Sequence, residues 1–238
     1  MALVEFHVDG HVAVASLNSG ENRFNPSMLD ALLKALDAIE TQTSATVLLA
    51  HSRHEKIFCN GIDLDWLVPV IRRQDLAVAK GFFYRLNTLF KRLLTYPLVT
   101  IAAISGHAFA GGAVFACAFD FRFMRSDRGF FCLPEVDLGL PFFPGMNAIL
   151  RRVIPHHALI DLQLTGVRLT AEMCLKHHIV KGAYPNHELM NEAMGFARGL
   201  NKQRSTVAEL KTRLNRPVIH ALDVEDVAVI ESGQFYIG

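Results

Sequence analysis

Apolar residues along this chain recur at two different periods, and the switches between them divide it into strands and helices. Leu3 to Val8 and His11 to Leu17 are strand-like runs flanking Asp9-Gly10, a pair suited to the positive φ of a two-residue hairpin turn. The chain is therefore expected to open with a β-hairpin. Met28, Leu29, Leu32, Leu33, Leu36 and Ile39 then recur at helical spacing behind Asn25, an N-cap type, and Pro26, which suits the first helical position. Ala45 to Ala50 reads as a buried strand, and His51 to Asn60 as a polar loop.

A second amphipathic helix is expected over Leu76 to Leu94, with Phe82, Phe83, Leu86, Leu89, Phe90 and Leu93 inward. It must stop before Pro97. Leu98 to Ile104 follows as a strand, Gly111 to Phe119 as a helix and Phe121 to Met124 as a strand. Strands alternating with helices imply right-handed crossovers and a mostly parallel sheet, hence an α/β fold. After about Leu164 the pattern changes: Thr170 caps a helix to about His178, and mainly helical segments run from His187 onward.

Charge and composition narrow the function classes. The stretch from Leu93 to Phe119 has no charged residue and is long enough for a bilayer. Pro97, Ser105, Gly106, His107, Gly111 and Gly112 interrupt it, so it reads as a buried strand, a glycine turn and a buried helix, and no membrane partner is expected. With 24 Lys+Arg against 23 Asp+Glu, no basic field points to nucleic acid. Cys59, Cys117, Cys132 and Cys174 form no CxxC pair and no zinc-type spacing, so no metal site is expected and a reducing compartment suits them. The opening residues lack the pattern of a signal peptide and the final Tyr236-Ile237-Gly238 is no peroxisomal address, which makes the cytoplasm the expected location.

Three segments carry candidate chemistry. Phe58-Cys59-Asn60-Gly61-Ile62-Asp63-Leu64 is a glycine turn between a strand and a helix, where free backbone N–H groups attract an oxygen gaining negative charge. An ordinary connection capped by Asp63 explains the same residues. Ile104 to Val114 holds two small-residue turns, and Gly111-Gly112 allow close approach of a ligand or simply close helix-on-sheet packing. His107 beside this turn reads as a structural histidine. Phe131 to Leu140 is apolar but carries Glu135 and Asp137, either of which, desolvated, would gain proton affinity suited to a general base.

In order and spacing these segments resemble the crotonase (enoyl-CoA hydratase/isomerase) superfamily over most of the first 185 or so residues. Phe-Cys-Asn-Gly-Ile-Asp-Leu looks like the family's first oxyanion-hole segment and Ala-Ile-Ser-Gly-His-Ala-Phe-Ala-Gly-Gly like its second. The resemblance implies that the N–H groups of Ile62 and Gly111 hold a thioester oxygen, with Asn60, Gly61, Asp63 and Gly112 around the bound group. Pro134-Glu135 resembles the segment of the second family acid. Leu164-Thr165-Gly166 through Thr170-Ala171-Glu172 resembles the motif that follows the core.

It further implies a spiral of ββα units over 1–185, a helical oligomerisation region over 186–238 that builds a trimer or dimer of trimers, and an acyl-CoA thioester as ligand, with no cofactor beyond the coenzyme A of the substrate.

Two departures sharpen the expectation. Where hydratases carry a glutamate two residues past the glycines, this chain has Val114, and where dienoyl-CoA isomerases need a further acid it has Phe142-Phe143. Ala110 in place of the first glycine reads as a mild change. A lone Glu135 suits a proton shuttle that moves a 3-enoyl-CoA double bond to the 2-position in fatty acid β-oxidation, and the chain most resembles short plant and bacterial isomerases of this kind. Competing readings are a hydratase or thioester hydrolase using Glu135, and a catalytically silent acyl-CoA-binding subunit. Trp66, Phe142 and Phe143 are candidates for an acyl pocket, although packing is their default. Arg23 and Lys56 are candidates for the CoA phosphates, although exposed basic residues are usually just solvated.

Overall fold

In the computed structural model, which describes residues 2–235, the opening hairpin pairs β1 (Val4–Asp9) with β2 (Val12–Leu17). Residue 1 and residues 236–238, with the C-terminal Tyr-Ile-Gly, lie outside the described residues. Asp9 pairs with Val12, so the turn is Gly10-His11, one residue later than expected. The positive φ falls on Gly10, at +60°, while Asp9 stays in the ladder.

From β2 the sheet continues in parallel through β3 (Val47–Ser52), β5 (Val99–Ile104), β7 (Phe121–Arg125) and β10 (Gly182–Tyr184). Side chains alternate between its faces, and each face has its own core. Ala13, Leu48, Ala102 and Ile104 join the main cluster with α1 (Pro26–Gln42) and α3 (Leu76–Leu94). Val12, Val14, Val47, Leu49, Ile101 and Ala103 pack instead with Leu189, Ala193 and Ala197 of α9 (Asn186–Arg198). The first helix of the 186–238 region therefore covers the sheet's second face, and the break expected near 185 falls between elements that share a core.

The expected loop from His51 to Asn60 contains β4 (Ile57–Cys59), which belongs to a second sheet that the hydrophobic pattern did not announce. Its order is β4, β6 (His107–Phe109), β8 (Phe131–Cys132) and β9 (Arg168–Leu169), the first three parallel. Strands of two or three residues are too short to show a period. They matter because the three candidate segments all leave the carboxyl ends of adjacent strands β4, β6 and β8.

The uncharged stretch divides into β5, β6 and α4 (Gly111–Ala118), and among the described residues no helix is long and apolar enough to cross a membrane. Every residue of α4 is buried, so its orphan backbone groups need internal partners. At the carboxyl end, Arg152 of α6 (Pro144–Val153) donates to the carbonyls of Cys117 and Phe119 at 2.7 and 2.8 Å, and Arg122 donates to Phe119 at 2.7 Å. At the amino end Ala110 has φ +53° and ψ −130°, a region that suits glycine and strains an L side chain. The change expected to be mild is therefore not mild for the backbone.

Ala110→Gly is expected to raise the unfolding free energy by about 1 kcal/mol, the released strain exceeding the extra freedom of the unfolded glycine. Urea denaturation measures it, and a loss of stability would show that Ala110 is unstrained.

Candidate active site

Beyond β4 the backbone of Gly61, Ile62 and Asp63 runs beside Phe24. Phe24 N–H donates to Gly61 O at 2.7 Å and Asp63 N–H donates to Phe24 O at 2.9 Å. In such a parallel bridge the central residue turns its own amide away from the partner strand. The Ile62 N–H accordingly has no acceptor among the described residues. Gly111 is the first residue of α4, and its N–H has no acceptor there either, as expected for the first turn of a helix.

The two amides lie side by side because the backbones nearly touch. A Cβ on Gly111 would stand 3.5 Å from Ile62 N, and one on Gly61, which has φ +76°, would stand 2.6 Å from Gly111 N. A Cβ on Gly112 would collide with the Cys59 carbonyl. Glycine is thus required at 61 and 112 for approach, whatever binds nearby. Two unbonded donors at the amino end of a buried helix can hold one oxygen that gains negative charge.

They open into a cavity of about 760 Å³ lined by Asn60, Ile62, Ala110, Gly111, Pro134 and Glu135 at this end. Glu135 begins α5 (Glu135–Leu138) behind Pro134, whereas Asp137, two residues on, is exposed. Burial pushes the Glu135 carboxyl up to about 8, offset only in part by its own backbone N–H. Its Oε2 and the Oδ1 of Asn60 are buried without a partner among the described residues. Two orphan acceptors beside two orphan donors, in one apolar cavity, make a place for a polar group of a ligand.

Val114 is fully buried in the main core and does not line the cavity. The one other carboxylate on the lining, Asp65, has an 89% exposed side chain and is paired to Arg23 at 2.7 Å. His107 stacks on Phe130 and meets Phe109 edge-on without lining the cavity itself, and burial lowers its proton affinity.

Of the other expected residues, Phe142 and Phe143 line the cavity, but Trp66 does not: it packs on Phe82 with centroids 5.1 Å apart. Asp63 caps α2 (Leu64–Arg72) through the Trp66 N–H, the plainer of its two readings. Arg23 stands at the rim but is neutralised by Glu21 and Asp65. Lys56 is exposed and off the cavity, its carbonyl occupied by His107 N–H. Arg72 was missed: it lines the cavity and has no ion-pair partner among the described residues. Phe83, Val229, Gln234 and Phe235 also line it, and no local sequence signal marks them, because three separate elements bring them together. No group of three or more His, Cys, Asp or Glu suited to a metal ion occurs among the described residues.

Known proteins resemble this chain in sequence and in fold. The chain is 35% identical over 168 residues to enoyl-CoA delta isomerase 3 of Arabidopsis thaliana, covering 68% of each protein. It is 33% identical over 210 residues to a putative enoyl-CoA hydratase of Thermus thermophilus, covering 86% of this chain and 80% of that one. The human mitochondrial delta3-delta2-enoyl-CoA isomerase superposes with a TM-score of 0.86 at 23% identity, over 97% of this chain and 90% of the other, a likeness of fold. A family model described as enoyl-CoA hydratase/isomerase matches residues 8–233, so the chain belongs to the enoyl-CoA hydratase/isomerase family.

Proposed function

We propose that the protein converts 3-enoyl-CoA thioesters to 2-enoyl-CoA, with Glu135 as the single base and a dienolate oxygen held by the N–H groups of Ile62 and Gly111. The observation that carries this reading is that Glu135 is the one buried carboxyl on the cavity wall, with Val114 packed in the core. Glu135 removes a proton from C2, the electron pair delocalises onto the thioester oxygen, and the same carboxyl returns the proton at C4. A carboxyl raised to about 8 holds the proton between the two steps. Each backbone donor contributes roughly 3–4 kcal/mol to such an oxyanion. The Arabidopsis isomerase relative supports the reaction type, which the β-oxidation of unsaturated fatty acids requires.

Hydration is the second reading, favoured by the Thermus relative's name. It needs a positioned water and proton transfers that a single carboxyl is poorly placed to divide. The cytoplasm remains our proposed compartment, on four buried and unpaired cysteines; subcellular fractionation decides it. A homotrimer or dimer of trimers belongs to the same reading, and the outward Leu210 and Leu214 of α10 (Arg204–Leu214), 62% and 73% exposed, are apolar surface for it to cover. Sedimentation velocity should give a trimer or hexamer, and a stable monomer at micromolar concentration refutes it.

Glu135→Gln is expected to lower isomerase kcat by about 10²–10⁴-fold while thioester binding persists. In the unsubstituted protein kcat/KM should climb as pH approaches about 8, where the base ionises. Stability moves the opposite way. The folded-state value lies above the ordinary 4.5, so the stabilisation from the protonated carboxyl is complete below 4.5 and lost as pH rises through about 8. The Gln variant should therefore gain thermal stability relative to Glu as pH rises across that window. Turnover unchanged in the variant removes Glu135 from the mechanism.

The same preparation should isomerise 3-enoyl-CoA much faster than it adds water to 2-enoyl-CoA, and some deuterium from C2 should reappear at C4. Dominant formation of 3-hydroxyacyl-CoA overturns the isomerase reading, and inactivity at every chain length with thioester binding intact favours a silent binding subunit.

A further inference from the structure

Asp226 is fully buried, far along the chain from every candidate segment, and it begins α12 (Asp226–Ser232) after a π-helical turn over Ala221–Glu225. Both of its oxygens are used. Oδ1 accepts from the Gly145 N–H at 2.7 Å and Oδ2 accepts from Asn87 Nδ2 at 2.9 Å. Gly145 is the second residue of α6, and the N-cap residue Phe143 supplies no side-chain cap. The carboxyl of Asp226 thus serves as a cap donated from another element, on the favourable side of the helix dipole. A Cβ on Gly145 would lie 2.5 Å from both Asp226 Oδ2 and Leu222 Cδ2, so a larger residue there would have to push these side chains aside.

The three elements joined at this carboxyl also supply an aromatic part of the cavity wall, beside Leu67, Val68 and Ile71 of α2. Phe83 lies one turn before Asn87 on α3, Phe143 lies two residues before Gly145, and Phe235 follows α12. Their rings are in contact: Phe83 to Phe143 at 4.7 Å and Phe83 to Phe235 at 4.9 Å. All three rings line the cavity, as does Val229, one turn beyond Asp226. A polar node in the core therefore lies directly behind an aromatic wall, and the only covalent link between the wall's parts is the long way round the chain. Burial pushes the Asp226 carboxyl up to about 6, so its ionised form destabilises the fold. A leucine-like residue there would pack without that penalty but could not cap α6.

We propose that Asp226 is a positioning residue that clamps the C-terminal segment to α3 and α6, and thereby sets the shape of the aromatic wall that receives the distal acyl chain. The role in acyl recognition rests on the function proposed above, because only a thioester with a long apolar chain has use for that wall. The clamp itself does not depend on that function. Without it Phe235 is free to move off Phe83 and Val229 off the cavity wall, and the far end of an acyl chain loses burial while the thioester end keeps its partners.

Two readouts on Asp226→Ala and Asp226→Asn separate these statements. Hydrogen exchange should accelerate at the Gly145 amide and across the Val229 to Phe235 segment in Asp226→Ala, with partial protection restored in Asp226→Asn, whose remaining oxygen can still accept from Gly145. Calorimetric titration with hexanoyl-CoA and dodecanoyl-CoA should show the preference for the longer chain reduced about tenfold in Asp226→Ala, the equivalent of roughly two buried methylenes. Should Asp226→Ala not fold, Asn87→Leu, which removes one of the two donors, gives the same pair of measurements. Unchanged exchange overturns the clamp whatever the protein's activity is. Faster exchange with an unchanged chain-length preference overturns its role in acyl recognition. Failure of the unsubstituted protein to bind either thioester while exchange responds as expected overturns the acyl role through the function proposed for the site, and leaves the clamp standing.

Discussion

The architecture turns on a short helix buried from end to end. Helix α4 has orphan N–H groups at one end and orphan carbonyls at the other, and every residue between them is buried. Its carbonyl end is satisfied by the guanidinium groups of Arg152 and Arg122, themselves buried and held below their ordinary proton affinity by desolvation. Its amino end opens instead into the cavity, where the Gly111 N–H lies beside that of Ile62. Two guanidinium groups at the carbonyl end also complement the dipole whose positive end faces the cavity. Donors fixed in this way would meet a transient charge without reorganising, as the proposed function requires.

Convergence of the site follows from the small second sheet. Strands β4, β6 and β8 run parallel and adjacent, so the turns after their carboxyl ends emerge on one edge and bring Ile62, Gly111 and Glu135 to one cavity. Open α/β sheets commonly hold ligands at this edge. The side chains lining this edge supply one desolvated carboxyl, Glu135, among mainly apolar neighbours, with the polar groups of Arg23, Asp65, Arg72 and Gln234 also on the cavity wall.

The C-terminal region is built into both faces of this arrangement. Helix α9 closes the second face of the large sheet, and the segment around Val229 to Phe235 closes the cavity. Lys211 of α10 donates to Asp120 at 2.8 Å and Asn215 donates to the Leu94 carbonyl at 2.8 Å, further ties between this region and the core. The helices after 185 therefore have an intramolecular role alongside any contact they make between subunits.

Much of this was legible in the sequence. Helices α1 and α3 follow from long runs of apolar residues at helical spacing, α1 with its Asn25 cap, and α3 runs over Leu76–Leu94 as expected. The glycine turns at Gly61 and Gly111 and the apolar surroundings of Glu135 marked the candidate segments, although close backbone packing accounts for the glycines equally well. Resemblance to a known family then assigned the pieces.

What the sequence could not contain was distance. Strands of two or three residues have no readable period, so β4 and the second sheet were invisible, and the turn at Gly10-His11 shifted by one residue because pairing across the ladder, not turn preference, decided it. Arg23 looked like a free cation until the fold brought Glu21 and Asp65 against it, and Trp66 looked like a pocket residue until it met Phe82. Phe83 and Phe235 lie on separate parts of the chain from the Phe142-Phe143 pair they join, and Asp226 reads as one more acid in a polar tail. Local composition determines which residues prefer burial, a charge or a turn; only the tertiary structure decides which of them meet, because burial, pairing and desolvation depend on neighbours that are distant in the chain.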